Sequence, residues 1–191
     1  VPNLSLAGEG ARPRYFQLRG IGELEQYEGA PNPSLGFVVD DIDFSALGSM
    51  ATLFGLDSVE ILRGPQGTRY GANALGGLIY ARSAPPPERF AASFESTVGG
   101  NDTWGLGVGA GGPLGERLGW QGSLQQFRSD GFRDNRYLHR DDTDALDELT
   151  ARFKLRADAG TDTGIELNAV YVDLADGYDA WTIDNDRSTE T

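Results

Sequence analysis

Side chains that could carry out acid–base or nucleophilic chemistry are few in this chain. The sequence contains no cysteine and one histidine, His139, which is flanked by Arg136, Tyr137 and Arg140 in a polar segment. A histidine metal site usually recruits further ligands nearby, and no Ser-His-Asp or Cys-His set can be built from these residues. The sequence therefore predicts no enzyme and no metal centre, and it gives no sign of a cofactor.

Two glycine-rich segments match ligand-binding loops only in part. Residues 64–71 are not followed by Gly-Lys-Ser/Thr, which excludes a phosphate loop. Residues 107–112 lack the strand–helix–strand context of a dinucleotide fold. Two acidic clusters lack the glycine of an EF-hand loop, so we expect solvated loops, with calcium binding as the alternative. The clusters comprise Asp141, Asp142, Asp144, Asp147 and Glu148, and then Asp184, Asp186 and Glu190.

The charge balance argues against nucleic acid as a partner. Sixteen Lys and Arg stand against 29 Asp and Glu, giving a net charge of −13, whereas a phosphate-binding surface has to be basic. The 27 glycines favour turns and β-structure over long helices. No segment approaches the roughly 18 apolar residues of a membrane-spanning helix, although membrane strands are shorter and only alternately apolar.

Residues 1–84 predict a small α+β domain. Short apolar runs bounded by glycine and proline are typical of strands. Such runs occur at 15–22, 36–39, 59–62 and 78–81, and glycine is dense between the last two. Proline is excluded from central strands, so residues 85–89, with three consecutive prolines, predict a linker.

Residues 90–191 show long period-two alternation of apolar and polar residues. The alternation predicts five strands of about ten residues, each with one apolar face, as in a transmembrane β-barrel. The strands are expected at 90–98, 104–110, 118–125, 149–157 and 165–171, and the connection at 128–148 is long and polar. A soluble sandwich with one face in a core would show the same pattern.

Three motifs in order resemble the plug domain of TonB-dependent outer-membrane receptors. They are Phe16–Gly22, Ala30–Ile42 and Val59–Ile79. The resemblance implies an α+β plug domain followed by antiparallel strands of an incomplete transmembrane β-barrel, of about 22 strands in the family. We therefore expect both ends to be cut from a longer protein. Asp40-Asp41 stands where many members have an Asp-Gly turn, and Tyr80 stands where asparagine is usual.

The resemblance also implies roles for individual residues. Arg19, Arg63 and Glu60 would anchor the plug to the barrel, the arginines by pairing with barrel glutamates. Tyr27 and Tyr137 would face the ligand, and the glycines at 107–112 would make room for the plug. Plug turns and close packing would depend on Gly20, Gly64, Pro65, Gly67, Gly71, Gly76 and Gly77.

The function implied by the resemblance is TonB-dependent active uptake across the outer membrane of a Gram-negative bacterium. A ferric siderophore is the first candidate for the scarce substrate, with cobalamin or an oligosaccharide as the others. The partners would be outer-membrane lipid and the TonB-ExbB-ExbD complex, reached through a segment (the TonB box) upstream of Val1. The alternative is a soluble β-rich carbohydrate-binding module.

Overall fold

The structure, a computed structural model, describes residues 2–7, 15–23, 34–45, 52–160 and 163–178. None of the helices in these ranges has the length and apolar character needed to cross a membrane. The elements, in chain order, are β1 (Leu4–Ala7), β2 (Tyr15–Leu18), β3 (Leu35–Val39), β4 (Ile42–Asp43), β5 (Leu56–Arg63), α1 (Gly67–Tyr70), β6 (Gly77–Ser83), β7 (Ala91–Val98), β8 (Trp104–Pro113), β9 (Leu118–Ser129), β10 (Leu146–Asp158) and β11 (Gly164–Leu174).

The N-terminal part is built on a four-stranded sheet with the order β4-β3-β6-β5. β3 and β6 are parallel, and the outer pairs are antiparallel. Every residue of β3 is buried, as are most of β6, so the two central strands are covered on both faces and have continuous apolar sequences. A separate antiparallel pair, β1–β2, contributes Phe16 and Leu18 to the core, where the ring of Phe16 stacks on Phe37 at 5.4 Å.

The turn between β3 and β4 differs from the Asp-Gly turn common in the family resembled. Val39 pairs with Ile42, which leaves Asp40 and Asp41 as a two-residue turn with φ of 47° and 65°. Positive φ at both positions is the geometry of a type I′ hairpin turn, which aspartate tolerates better than most residues. The Asp41 carboxylate accepts a hydrogen bond of 2.6 Å from the Tyr80 hydroxyl, which helps to hold this turn.

The C-terminal part is an antiparallel meander of five strands with the order β11-β10-β9-β8-β7. This confirms the five strands expected from alternation, with β9 and β10 extending to 12 and 13 residues. Side chains alternate between a buried and an exposed face along β8 and β10. The sheet is therefore an open wall segment in which β11 and β7 do not pair, as the predicted fold class requires.

Candidate functional site

The two sheets meet where residues 52–55, just before β5, lie against the inner face of the meander. On β8 this face is made of buried glycines, among them Gly105, Gly107 and Gly109. A Cβ added at Gly107 would lie 3.0 Å from three ring atoms of Phe54. Because a real Cβ is almost never so close to a neighbour, the absence of side chains on β8 creates the space for this ring.

The main chain around Phe54 is held by hydrogen bonds from β10 and lies close to β9. Arg152, which is 6% exposed, donates hydrogen bonds of 2.7 Å to the Thr52 carbonyl and 2.6 Å to the Phe54 carbonyl. Gly55 has φ of 77°, and a Cβ there would collide with the Oγ and Cβ of Ser123. The Arg152 guanidinium and the glycine at position 55 therefore constrain the backbone of residues 52–55 and not its side chains.

A second contact joins β10 to the β3–β4 turn. The Lys154 ammonium lies 3.1 Å from the Asp40 carboxylate, and their side chains are only 9% and 4% exposed. Asp40 also accepts hydrogen bonds from the Ser83 amide (2.9 Å) and hydroxyl (2.6 Å). Glu166 on β11 lies 3.4 Å from the same ammonium. A buried charge pair is tolerated when further hydrogen bonds satisfy its atoms, and these contacts supply them.

Known proteins are similar to both parts of the chain that form this interface. A profile of the family described as TonB-dependent Receptor Plug Domain matches residues 1–78. This part of the chain is a plug domain of the kind found in TonB-dependent receptors. The likeness extends to the strands that follow, because the ferric yersiniabactin uptake receptor of Yersinia pestis superposes on 90% of this chain with a TM-score of 0.76 and 25% identity.

Further relatives are also receptors or transporters by name. The pesticin receptor of Yersinia pestis is 30% identical over 103 residues, 54% of this chain. The vitamin B12 transporter of Photobacterium profundum is 27% identical over 69% of it. The pyoverdine outer membrane receptor of Pseudomonas aeruginosa shares the fold (TM-score 0.69, 21% identity, 91% of this chain). The chain spans 15%, 22% and 24% of these proteins and 27% of the yersiniabactin receptor.

The residues expected to anchor the plug are exposed in the described structure. Arg19 occupies the turn after β2, Arg63 ends β5, and Glu60 lies on β5 opposite Tyr80; all three are exposed. Among the described residues, one ion pair between plug and wall joins Asp40 to Lys154 instead. The anchoring role of the two arginines and Glu60 stays a prediction.

The glycines expected to shape the plug occupy turns and close contacts. Gly20, Gly64 and Gly71 have φ of 78°, 88° and 89°. A Cβ at Gly76 would lie 2.6 Å from Ile21, and one at Gly77 would lie 2.8 Å from the Leu62 carbonyl oxygen. Gly67 begins α1, and Pro65 is exposed beside it.

The ligand-facing positions are less defined. Tyr137 is 88% exposed in the connection between β9 and β10, whereas Tyr27 lies outside the described residues, as do Asp184, Asp186 and Glu190. In the same connection, Arg140 pairs with Asp142 at 2.7 Å, and its hydrogen bond lowers the pKa of the Asp142 carboxyl. Among the described residues, no three His, Asp or Glu side chains are grouped as a metal site.

Sequence reasoning missed Asp40, Arg152 and Lys154. Two signals for them exist. The turn Asp40-Asp41 departs from the family pattern, and Arg152 and Lys154 recur at period two on the face of β10 opposite its apolar residues. Buried cations on the inner face of a wall strand need partners, and an aspartate in the plug could have been sought as one.

Proposed function

We propose that this chain belongs to a receptor that carries out TonB-dependent uptake of a ferric siderophore across the outer membrane of a Gram-negative bacterium. The observation that carries the proposal is the plug domain seated on the inner face of wall strands whose other face is apolar. A plug inside a barrel blocks free diffusion, so cargo can pass only when part of the plug moves.

The outer face of the wall has the chemistry of a lipid-facing surface. Apolar side chains are exposed along it on four consecutive strands, while polar and small residues face the plug. Alternation of this kind is what a membrane strand needs. The exposed members are Trp104, Leu106, Val108, Leu124, Phe153, Ile165, Leu167 and Tyr171.

This surface also weighs against the soluble alternative. A soluble carbohydrate-binding module would need Trp104 and Phe153 covered by protein, yet their exposed fractions are 40% and 42%. The relatives give that alternative no support, since they are receptors and a transporter.

The relatives favour one class of cargo over the others. The 25% identical receptor from Yersinia pestis takes up ferric yersiniabactin, which favours a ferric siderophore here. Cobalamin is the second candidate because the 27% identical transporter carries vitamin B12. Energy would come from TonB with ExbB and ExbD, engaged through a segment upstream of Val1.

The test uses the full-length receptor in a Gram-negative strain that lacks its own siderophore and cobalamin receptors. We expect saturable accumulation of a ⁵⁵Fe-labelled siderophore that disappears when TonB is deleted or the proton gradient is collapsed. Accumulation of radiolabelled cobalamin instead would select the second candidate. Uptake that is unchanged without TonB, or no uptake of either cargo, would overturn the proposal.

A further inference from the structure

We propose that Arg152 and Lys154 of β10 are positioning residues that hold the plug at rest against the barrel wall. We call Arg152, Lys154 and Asp40 the clasp. Its polarity is the reverse of that expected for Arg19 and Arg63, because the cations lie on the wall and the carboxylate on the plug. The inference rests on the proposed function only for the barrel that surrounds the plug.

The Lys154 half of the clasp is a buried ion pair. Asp40 and Lys154 are 114 residues apart in the chain and lie at opposite sides of the interface. Lys154 also lies 3.4 Å from the Ser83 carbonyl oxygen at the end of β6. Since the Asp40 carboxylate already accepts two hydrogen bonds from Ser83, one ammonium fixes both the β3–β4 turn and the last residue of β6.

The Arg152 half holds a different plug segment. Its guanidinium donates to two main-chain carbonyls, those of Thr52 and Phe54. A planar fork with two such bonds fixes orientation as well as distance. The ring of Phe54 also packs against Gly107 on β8, where the absence of a side chain leaves room for it.

The two halves act from one strand. Arg152 and Lys154 are two residues apart on the inner face of β10, yet they contact different parts of the plug: Arg152 contacts residues 52–54, and Lys154 contacts Asp40 and Ser83. Attachment at two points prevents the plug from pivoting about either one. A third cation on the same face, Arg156, is 58% exposed and lies 3.8 Å from Asp158 of its own strand.

Removing one partner therefore differs from removing both. Lys154→Met leaves the Asp40 carboxylate buried with Ser83 alone, and an uncompensated buried charge is strongly unfavourable. Adding Asp40→Asn removes that charge while an amide still accepts from the Ser83 amide and donates to its hydroxyl. The double variant is thus expected to be closer to the wild type than Lys154→Met.

The experiment measures hydrogen exchange of β3 and β6 amides in the full-length receptor in detergent. Cells are assayed in parallel for entry of a glycopeptide antibiotic too large for ordinary outer-membrane pores. We expect Lys154→Met to accelerate exchange roughly 100-fold and to admit the antibiotic. Arg156→Met, the matched control, should stay within about twofold of the wild type because its pair is exposed.

Asp40→Asn alone is measured as well. The double variant should recover most of both effects, and the affinity for cargo at the cell surface should be the same in all five proteins. Equal effects of Lys154→Met and Arg156→Met would overturn the proposal, as would additive effects of Lys154→Met and Asp40→Asn. Neither readout requires cargo, so failure of the uptake test would leave this result independent.

Discussion

Gly55→Ala should loosen the plug from the wall more than an equivalent change elsewhere in the plug. Gly55 lies between Phe54 and β5 with φ of 77°, and a Cβ there would lie 2.9 Å from the Cβ of Ser123 on β9. The substitution therefore introduces backbone strain and a collision with the wall at once.

The two contributions can be separated with Gly64→Ala. Gly64 has φ of 88°, but a Cβ there would meet nothing within 4 Å. Strain of a side chain in this backbone region costs roughly 1–2 kcal/mol in both variants. Overpacking adds roughly 1–3 kcal/mol, and it applies to Gly55→Ala alone. The difference between the variants therefore measures the contact with Ser123.

Hydrogen exchange of the β5 amides in the full-length receptor is the assay, because β5 begins immediately after Gly55. A difference of 1–3 kcal/mol corresponds to exchange about 5- to 150-fold faster in Gly55→Ala than in Gly64→Ala. Ser123→Gly removes the colliding atoms and should return Gly55→Ala to the level of Gly64→Ala.

Two results would refute this reasoning. One is equal exchange in Gly55→Ala and Gly64→Ala, which would mean that Ser123 does not limit the space at Gly55. The other is failure of Ser123→Gly to rescue Gly55→Ala while Ser123→Gly alone behaves as the wild type.

Two further predictions concern the plug core and the outer face. Burial and the hydrogen bond to Asp41 raise the pKa of Tyr80 to about 12, above an unfolded value near 10. The contribution of the Tyr80 hydroxyl to plug stability is therefore complete below about pH 10 and is lost as the pH rises towards 12. Between pH 9 and 12 the free energy of unfolding should fall by roughly 2–3 kcal/mol in the wild type, whereas Tyr80→Phe should lack this dependence. Denaturant unfolding at these pH values measures it. Parallel curves of unfolding free energy against pH for the two proteins would contradict the prediction. Val108→Arg on the outer face of β8 should make the free energy of folding into vesicles less favourable by roughly 2–4 kcal/mol. Leu114→Arg in the β8–β9 turn, where the side chain is also exposed, should not. A heat-modifiability gel separates folded from unfolded protein, and equal losses in the two variants would show that the outer face is not in lipid.

The pattern of short apolar runs was enough to locate most strands. β3 and β6 are recognisable because two covered faces require a continuous apolar run. β8 and β10 are recognisable because strand side chains alternate between faces. Both are local properties, so they can be seen without knowing what the strand contacts. The helical turn α1 was not distinguished from the surrounding turns, since four residues are too few to show a helical period.

The site could be predicted only in outline. Glycine at alternate positions of β8 indicated room for another part of the chain, and the structure confirms this by placing Phe54 over Gly107. The residue that fills the room could not be named from spacing. The family motifs point to Arg19 and Arg63, whereas the described wall contacts come from Asp40 and residues 52–55.

By itself, the sequence of this protein determined the plug motifs, the positions of most strands along the chain and which face of the wall is apolar, because each depends on residues close together in the chain. Only the tertiary structure decided that Lys154 meets Asp40 and that Arg152 meets the carbonyls of Thr52 and Phe54. These partners are about 100 residues apart. Their meeting depends on how the plug is rotated and set against the wall, which a local pattern does not encode.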